Sequence, residues 1–398
     1  MKITLANSLY YPYQIGGAEK SVQLLAEALS RQGHEVSVIT LHEGESVNRY
    51  IHNNVQVIAI PLSNNYWPYD HSRSHGLVSR IGWHLRNIWN SATAAAAGRA
   101  LDDLRPDVVH VNVPTGFSAA LLSEILSRKI RLVQTLRDLT FLCERAGMFR
   151  SGKNCVGQCT SCRLFTSQYK RLSSRVSAVV SNSQYILDLH LQNGYFSNVP
   201  AHVIFNVANV GGGSIPRVNR EPSNKSLTFG YFGRILKEKG LNIVFEATKR
   251  LKNQNWSLKV GGSGPADYVA TLKDQYKNAQ IEWLGFLDPQ RFFEQVDVVV
   301  VPSIWAEPLP RSMIEAFAAG RTVIASRSGG NPEVATLGKK YATYDAEDVD
   351  RLAQLMDDAL SEPEPWLEGG FSSEDKALFF SEETVTKRYL QVYQGSNG

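Results

Sequence analysis

The chain has 398 residues, 42 Lys and Arg against 38 Asp and Glu, and 43% hydrophobic residues, a globular composition too long for one hydrophobic core and suited to two Rossmann-like domains. No apolar run reaches the ~18 residues a membrane helix needs, and Met1-Lys2-Ile3-Thr4-Leu5-Ala6 is too short and too quickly polar for a signal peptide, so a cytoplasmic protein is expected. Residues 1–200 hold 20 Lys and Arg against 13 Asp and Glu and the remainder 22 against 25, but the cations are dispersed and no nucleic-acid motif accompanies them, which argues against that partner.

Lys2 to Ser8 reads as a first strand, followed by a loop from Tyr10 to Glu19 that contains Gly16 and Gly17 and runs into a helix with Val22, Leu25, Ala26 and Leu29 on its apolar face. Gly33 stops that helix and Val36 to Leu41 forms the second strand, a β-α-β unit whose right-handed crossover makes the strands parallel. Val55 to Ile60, Val108 to Val113, Arg131 to Leu136 and Ala178 to Ser181 continue the series between helices such as Ala92 to Leu104 and Ala119 to Ser127, the pattern of a doubly wound sheet. Between Arg73 and Trp89, Arg73, His75, Arg80, His84 and Arg86 interleave with Trp83 and Trp89. Such a stretch suits an anionic membrane surface or a lipid-phosphate acceptor, or else a solvated helix face.

Cys143, Cys155, Cys159 and Cys162 are all the cysteines of the chain, grouped in one short region. Without a secretory signal the group points to metal ligation more than to disulfides, and Cys159-x-x-Cys162 has the bite of a tetrahedral, structural zinc site; free buried thiols are the alternative. Gly211-Gly212-Gly213, Pro216 and Pro222 mark residues 207–226 as a linker between a first domain, 1–206, and a second, 227–378. In the second, Leu227 to Phe232, Ser257 to Val260, Ile281 to Leu284, Val298 to Val301 and Thr322 to Ala325 are expected strands. A final helix within 379–398 carries Val385, Tyr389, Val392 and Tyr393 on one side.

Val298 to Val301 leads into Glu307-Pro308-Leu309-Pro310-Arg311-Ser312-Met313-Ile314-Glu315, a turn and the opening of a helix. The prolines remove only donors the helix start does not use, and the amides from Arg311 onward favour an anion such as a diphosphate. Glu307 in the turn is placed to face the sugar end of a ligand, and Glu315, about two turns into the helix, its ribose hydroxyls. Two glutamates seven residues apart in this setting resemble the E-x7-E motif of retaining GT-B glycosyltransferases of the GT4-like group. Phe229-Gly230-Tyr231-Phe232-Gly233-Arg234 with Lys237-Glu238-Lys239-Gly240 is similar to the first signature of that family's second domain, and Lys259-Val260-Gly261-Gly262-Ser263-Gly264-Pro265 and Ser328-Gly329-Gly330-Asn331 to its later loops. A nicotinamide fingerprint at Gly262 and Gly264 fails, because no third glycine is in place and Pro265 crowds the turn.

The resemblance implies an α/β fold of GT-B type, two Rossmann-like doubly wound domains facing across a cleft, with the terminal helix returning to the first. It implies transfer of a hexosyl group from a nucleoside-diphosphate sugar, UDP- or GDP-linked, to a glycan or lipid-linked acceptor in bacterial surface polysaccharide synthesis, with no metal or other cofactor required. Glu307, Arg234, Lys239 and His110 are the expected catalytic residues, Arg234 and Lys239 stabilising the departing diphosphate. Gly16, Gly17, Gly233, Gly262, Gly264, Leu309, Arg311 and Glu315 are the expected donor-binding residues. On the acceptor side stand Arg137, where many relatives show His, Asp138 and Asn206; His110 is equally readable as a hydrogen-bonded core histidine. An epimerase acting on the same donor, or a non-catalytic nucleotide-sugar-binding subunit, is the alternative.

Overall fold

The structure, a computed structural model, describes residues 1–13, 16–69, 75–207 and 226–395. Gln14 and Ile15 of the first glycine loop, Arg73 of the basic stretch, and residues 208–225 of the expected linker, with the Gly211-Gly212-Gly213 triplet, lie outside them. The chain divides into two compact units: Met1–Met148 with Cys155–Val207 and Glu382–Gly398, and Phe149–Asn154 with Ala208–Ser381.

The first unit is built on β1 (Lys2–Ala6), β2 (Glu35–His42), β3 (Asn48–His52), β4 (Val55–Pro61), β5 (Val108–Val111) and β6 (Arg131–Leu136). After a short hairpin of β7 (Phe149–Arg150) and β8 (Lys153–Asn154), which belongs to the second unit, the first unit continues with β9 (Ala178–Ser181) and β10 (Ala201–Val203). The order is β10-β9-β6-β5-β1-β2-β4-β3, parallel throughout except for the edge strand β3, which pairs antiparallel with β4. β3 escapes the hydrophobic pattern because it is a polar, largely exposed edge; it is closed onto β4 by Asn53 and Asn54, both at positive φ, the two-residue turn that matches strand twist.

The helix Glu382–Gln394 belongs to this first unit. Val385, Tyr389, Val392 and Tyr393 enter one apolar cluster with Ile3, Leu5, Leu25 and Val108. Arg31 clamps Glu382 with two bonds, 3.0 and 2.5 Å, and Gln32 donates to Thr386 at 2.6 Å.

The second unit holds β11 (Leu227–Phe232), β12 (Trp256–Gly261), β13 (Ile281–Gly285), β14 (Val298–Val301), β15 (Thr322–Ser326) and β16 (Tyr341–Tyr344), all parallel in the order β13-β12-β11-β14-β15-β16. Val298 to Val301 are buried on both faces, as a central parallel strand requires. In each sheet the order reverses beside the first strand, between β1 and β5 and between β11 and β14. Loops leaving the carboxyl ends of those strand pairs diverge and leave a crevice for ligand.

Candidate functional site

In the second unit the two loops at the β11/β14 reversal are locked together. After β11 the chain passes Gly233 and Arg234 and makes a short turn, Lys237–Lys239, that ends at Gly240 with φ +72°. A Cβ on Gly240 would lie 2.1 Å from Pro302 O, so only glycine lets the turn lie against the chain leaving β14. The amides of Ile304 and Trp305 both donate to Glu238 O, at 3.0 and 3.1 Å. Lys239 is thereby carried to Glu307: its ammonium donates to Glu307 Oε1 and stands 5.0 Å from the centre of the Trp305 ring.

Glu307 is held from three sides. Its side chain is 8% exposed and that of Lys239 is 16% exposed. Ser303 Oγ donates to the same Oε1 at 2.6 Å, and Ser303 O accepts from Ser326 Oγ at 2.6 Å, which Asn331 in turn bonds. Behind it, Gly330 N donates to Glu307 O at 2.7 Å, and Gly329, at φ +61°, passes so close that a Cβ would be 2.3 Å from that oxygen. Asn154, at the end of β8, brackets the preceding residues, donating to Ile304 O at 2.8 Å and accepting from Ala306 N at 2.9 Å. Ser303 and Asn154 were not singled out from the sequence. A serine after a strand and an asparagine in a two-residue strand carry no signal until the fold brings them to Glu307.

The helix Arg311–Ala318 starts after Pro310, with Leu309 buried just ahead of it. Glu315 therefore sits at the fifth helical position, little more than one turn in, where it accepts from Arg311 Nε at 2.7 Å. Burial pushes the Glu315 carboxyl above its ordinary range, against the opposing pull of Arg311. Arg311 Nη1 is buried with no partner among the described residues, a donor that a phosphate or hydroxyl oxygen would satisfy. Arg234 is exposed and forms no ion pair among the described residues. Gly262 and Gly264 serve the neighbouring loop: a Cβ on each would lie 1.8 Å from Gly233 O and 2.0 Å from Ile235 O. Gly233 N is likewise taken, donating to Gly261 O at 3.0 Å. These three expected donor-binding glycines thus let two backbones close on each other, with Arg234 at their rim.

In the first unit Gly16 and Gly17 open the helix Gly17–Arg31, with Glu19 Oε2 accepting from Gly16 N at 2.9 Å. At the end of β6, Arg137 is buried, donating to Asn112 at 2.7 Å and to Asn206. Those partners are neutral amide oxygens, and desolvation lowers its pKa. Burial pushes the adjacent Asp138 carboxyl up; Thr140 N donates to it at 2.9 Å. His110 is a correction to the expected catalytic set. It is fully buried, with Nδ1 bonded to Tyr393 at 2.7 Å and Nε2 to Thr135 at 2.6 Å. Desolvation holds it well below its usual pKa and so neutral. Of the two readings the sequence left open, the structure takes the core histidine, here anchoring the C-terminal helix.

Of the four cysteines in the expected zinc set, Cys143 and Cys162 are buried, Cys155 is half-buried and Cys159 is exposed; no group of three or more His, Cys, Asp or Glu among the described residues is arranged to hold a metal. A hydrogen bond from Ser161 (3.3 Å), aided by the backbone and side chain of Cys162, lowers the Cys159 thiol to about 7, whereas burial pushes Cys162 up to about 12. Alkylation of Cys159 by iodoacetamide is therefore expected to rise with pH around a midpoint of about 7, and Ser161→Ala to move it toward the ordinary 9.0. A wild-type midpoint already at 9.0 would contradict the arrangement.

Residues 216–367 match the glycosyl transferases group 1 family and residues 16–206 the glycosyl transferase 4-like domain. With both halves of the fold accounted for in this way, the chain belongs to the GT-B glycosyltransferases and is a transferase. It is 32% identical over 397 residues to an uncharacterized 42.6 kDa protein in the cps region of Klebsiella pneumoniae, covering 99% of this chain and 100% of that one. It is also 28% identical over 127 residues to the amylovoran biosynthesis glycosyltransferase AmsK of Erwinia amylovora, 29% of this chain and 31% of the other. The fold is shared with Anabaena HepE, solved in complex with UDP and glucose, at a TM-score of 0.73 and 17% identity over 99% of both chains. No helix among the described residues is long and apolar enough to cross a membrane.

Proposed function

We propose that the protein transfers a hexosyl group, with retention of configuration and without a catalytic metal, from a UDP- or GDP-sugar to a glycan or lipid-linked acceptor hydroxyl in surface polysaccharide assembly. The observation that carries this reading is the Lys239–Glu307 pair fixed at the β11/β14 reversal, with Arg234 exposed on the loop after β11 and, on the helix that follows Glu307, an Arg311 donor without a partner among the described residues. The diphosphate lies against Arg234, Lys239 and the amides that open Arg311–Ala318, which take up the charge that develops as the glycosidic bond breaks. Glu307 faces the sugar and Glu315 the ribose. Arg137 and Asp138, at the end of β6, serve the acceptor side; a buried guanidinium bonded to the neutral side chains of Asn112, Asn206 and Tyr389 suits an acceptor bearing a phosphate or carboxylate. Support for the polysaccharide context comes from the cps-region and amylovoran relatives, and for a UDP-sugar from HepE.

The donor is found by thermal shift against UDP-, GDP-, dTDP- and ADP-sugars, since a ligand at ~100 times its dissociation constant adds ~2.7 kcal/mol of stability. With that donor, nucleoside diphosphate is expected to be released only when an acceptor is present, and the product anomer, read by NMR, to match the donor. Release that needs no acceptor and leaves an epimerised sugar, or an inverted product, overturns the reading.

A further inference from the structure

The helix Leu77–Ile88 is packed inside out. Its one buried residue is Trp83, whose indole N–H donates to Tyr66 O at 3.2 Å, while Leu77, Val78, Ile81 and Leu85 are 71%, 85%, 48% and 53% exposed. At ~100° per residue these four fall within an arc of about 100°, opposite Trp83. Arg80 and Arg86 lie about 60–80° beyond its two edges.

The surroundings extend the pattern. No Asp or Glu occurs from His75 to Leu101, nor from Cys155 to Leu187. The second stretch carries the helix Thr160–Phe165, which meets the first through His84 and Phe165, ring centres 6.1 Å apart, and adds exposed Arg163 and Leu164. The carboxylate at this corner, Glu144, is matched by Arg145 at 3.9 Å. A helix bathed in water turns its polar side outward; this one presents four aliphatic side chains framed by guanidinium groups.

We propose that this face docks on the anionic surface of a lipid bilayer, the aliphatic side chains entering the boundary of the acyl region and Arg80, Arg86 and Arg163 meeting phosphate headgroups. Charge decides between occupants: a second copy of the same face would set arginine against arginine, whereas acidic headgroups complement both edges of the arc. The docking goes beyond the transferase reading and holds whether or not the donor is a UDP-sugar.

The test is co-sedimentation of the full chain with vesicles of phosphatidylcholine alone or mixed with phosphatidylglycerol. The wild type is expected to pellet with the mixed vesicles only and to be released by salt. Ile81→Glu with Leu85→Glu should lower partitioning at least tenfold, and Arg80→Gln or Arg86→Gln about fivefold each. Unchanged circular dichroism and an unchanged nucleotide-sugar thermal shift show that these surface variants fold. Wild-type protein left in the supernatant with mixed vesicles overturns the proposal, as do variants that pellet like the wild type. So does a dimer in sedimentation velocity that Ile81→Glu with Leu85→Glu dissociates while no vesicle is bound, which would assign the face to a second copy.

Discussion

Replacing Lys239 by alanine is expected to lower kcat/KM by about 10²–10³-fold, the size of effect seen when one fixed donor to a developing anion is removed. The same change leaves Glu307 buried with Ser303 as its remaining side-chain partner, and deleting half of a buried pair costs about 3–5 kcal/mol. Two readouts separate the roles. Lys239→Ala should lose both activity and stability. Lys239→Ala combined with Glu307→Gln should regain most of the stability, since no unpaired charge is left inside, and none of the activity. A Lys239→Ala enzyme with near-normal turnover would remove the pair from the chemistry, whatever its melting temperature.

The second large effect is expected at Gly329, which the sequence offered only as part of a loop. An alanine there takes a left-handed conformation and sets its Cβ 2.3 Å from Glu307 O and 2.4 Å from Glu307 N. Backbone strain costs about 1–3 kcal/mol, and the overlap, which moves the main chain, a further 1–3 kcal/mol. Gly33→Ala is the control: its φ is +83° with nothing within 4 Å of the added carbon, so it carries the strain without the collision. Calorimetry should show a much larger loss for Gly329→Ala than for Gly33→Ala, together with loss of transfer. Equal losses would mean that Glu307 is not braced by the loop.

The contrast between those glycines marks what a sequence can convey. Runs buried on both faces, such as Val298 to Val301 and Arg131 to Leu136, carry their conformation in their composition, and the strands fall where the pattern puts them. The edge strand Asn48–His52 and the hairpin ending at Asn154 do not, because exposed or two-residue strands need no apolar period. At the site, Glu307, Lys239 and Arg311 are recognisable from residue type and spacing. Their supports are not: Ser303, Asn154 and Gly329 are defined by who stands opposite, and that is a property of the folded chain. His110 shows the converse, a chemically suggestive residue at a strand end whose two nitrogens the core has already claimed.

The order in which the chain is synthesised adds a consequence of the C-terminal helix. Most of the first unit leaves the ribosome before the second, yet part of its core is Val385, Tyr389, Val392 and Tyr393, translated only after the second unit is complete. Until those arrive, Leu5, Leu25 and Val108 lack neighbours and His110 lacks its Tyr393 hydroxyl. The nascent amino-terminal half must therefore wait, incompletely closed, while the second unit is being made. A premature stop before Glu382 would spare every residue of the second unit and still expose the interior of the first.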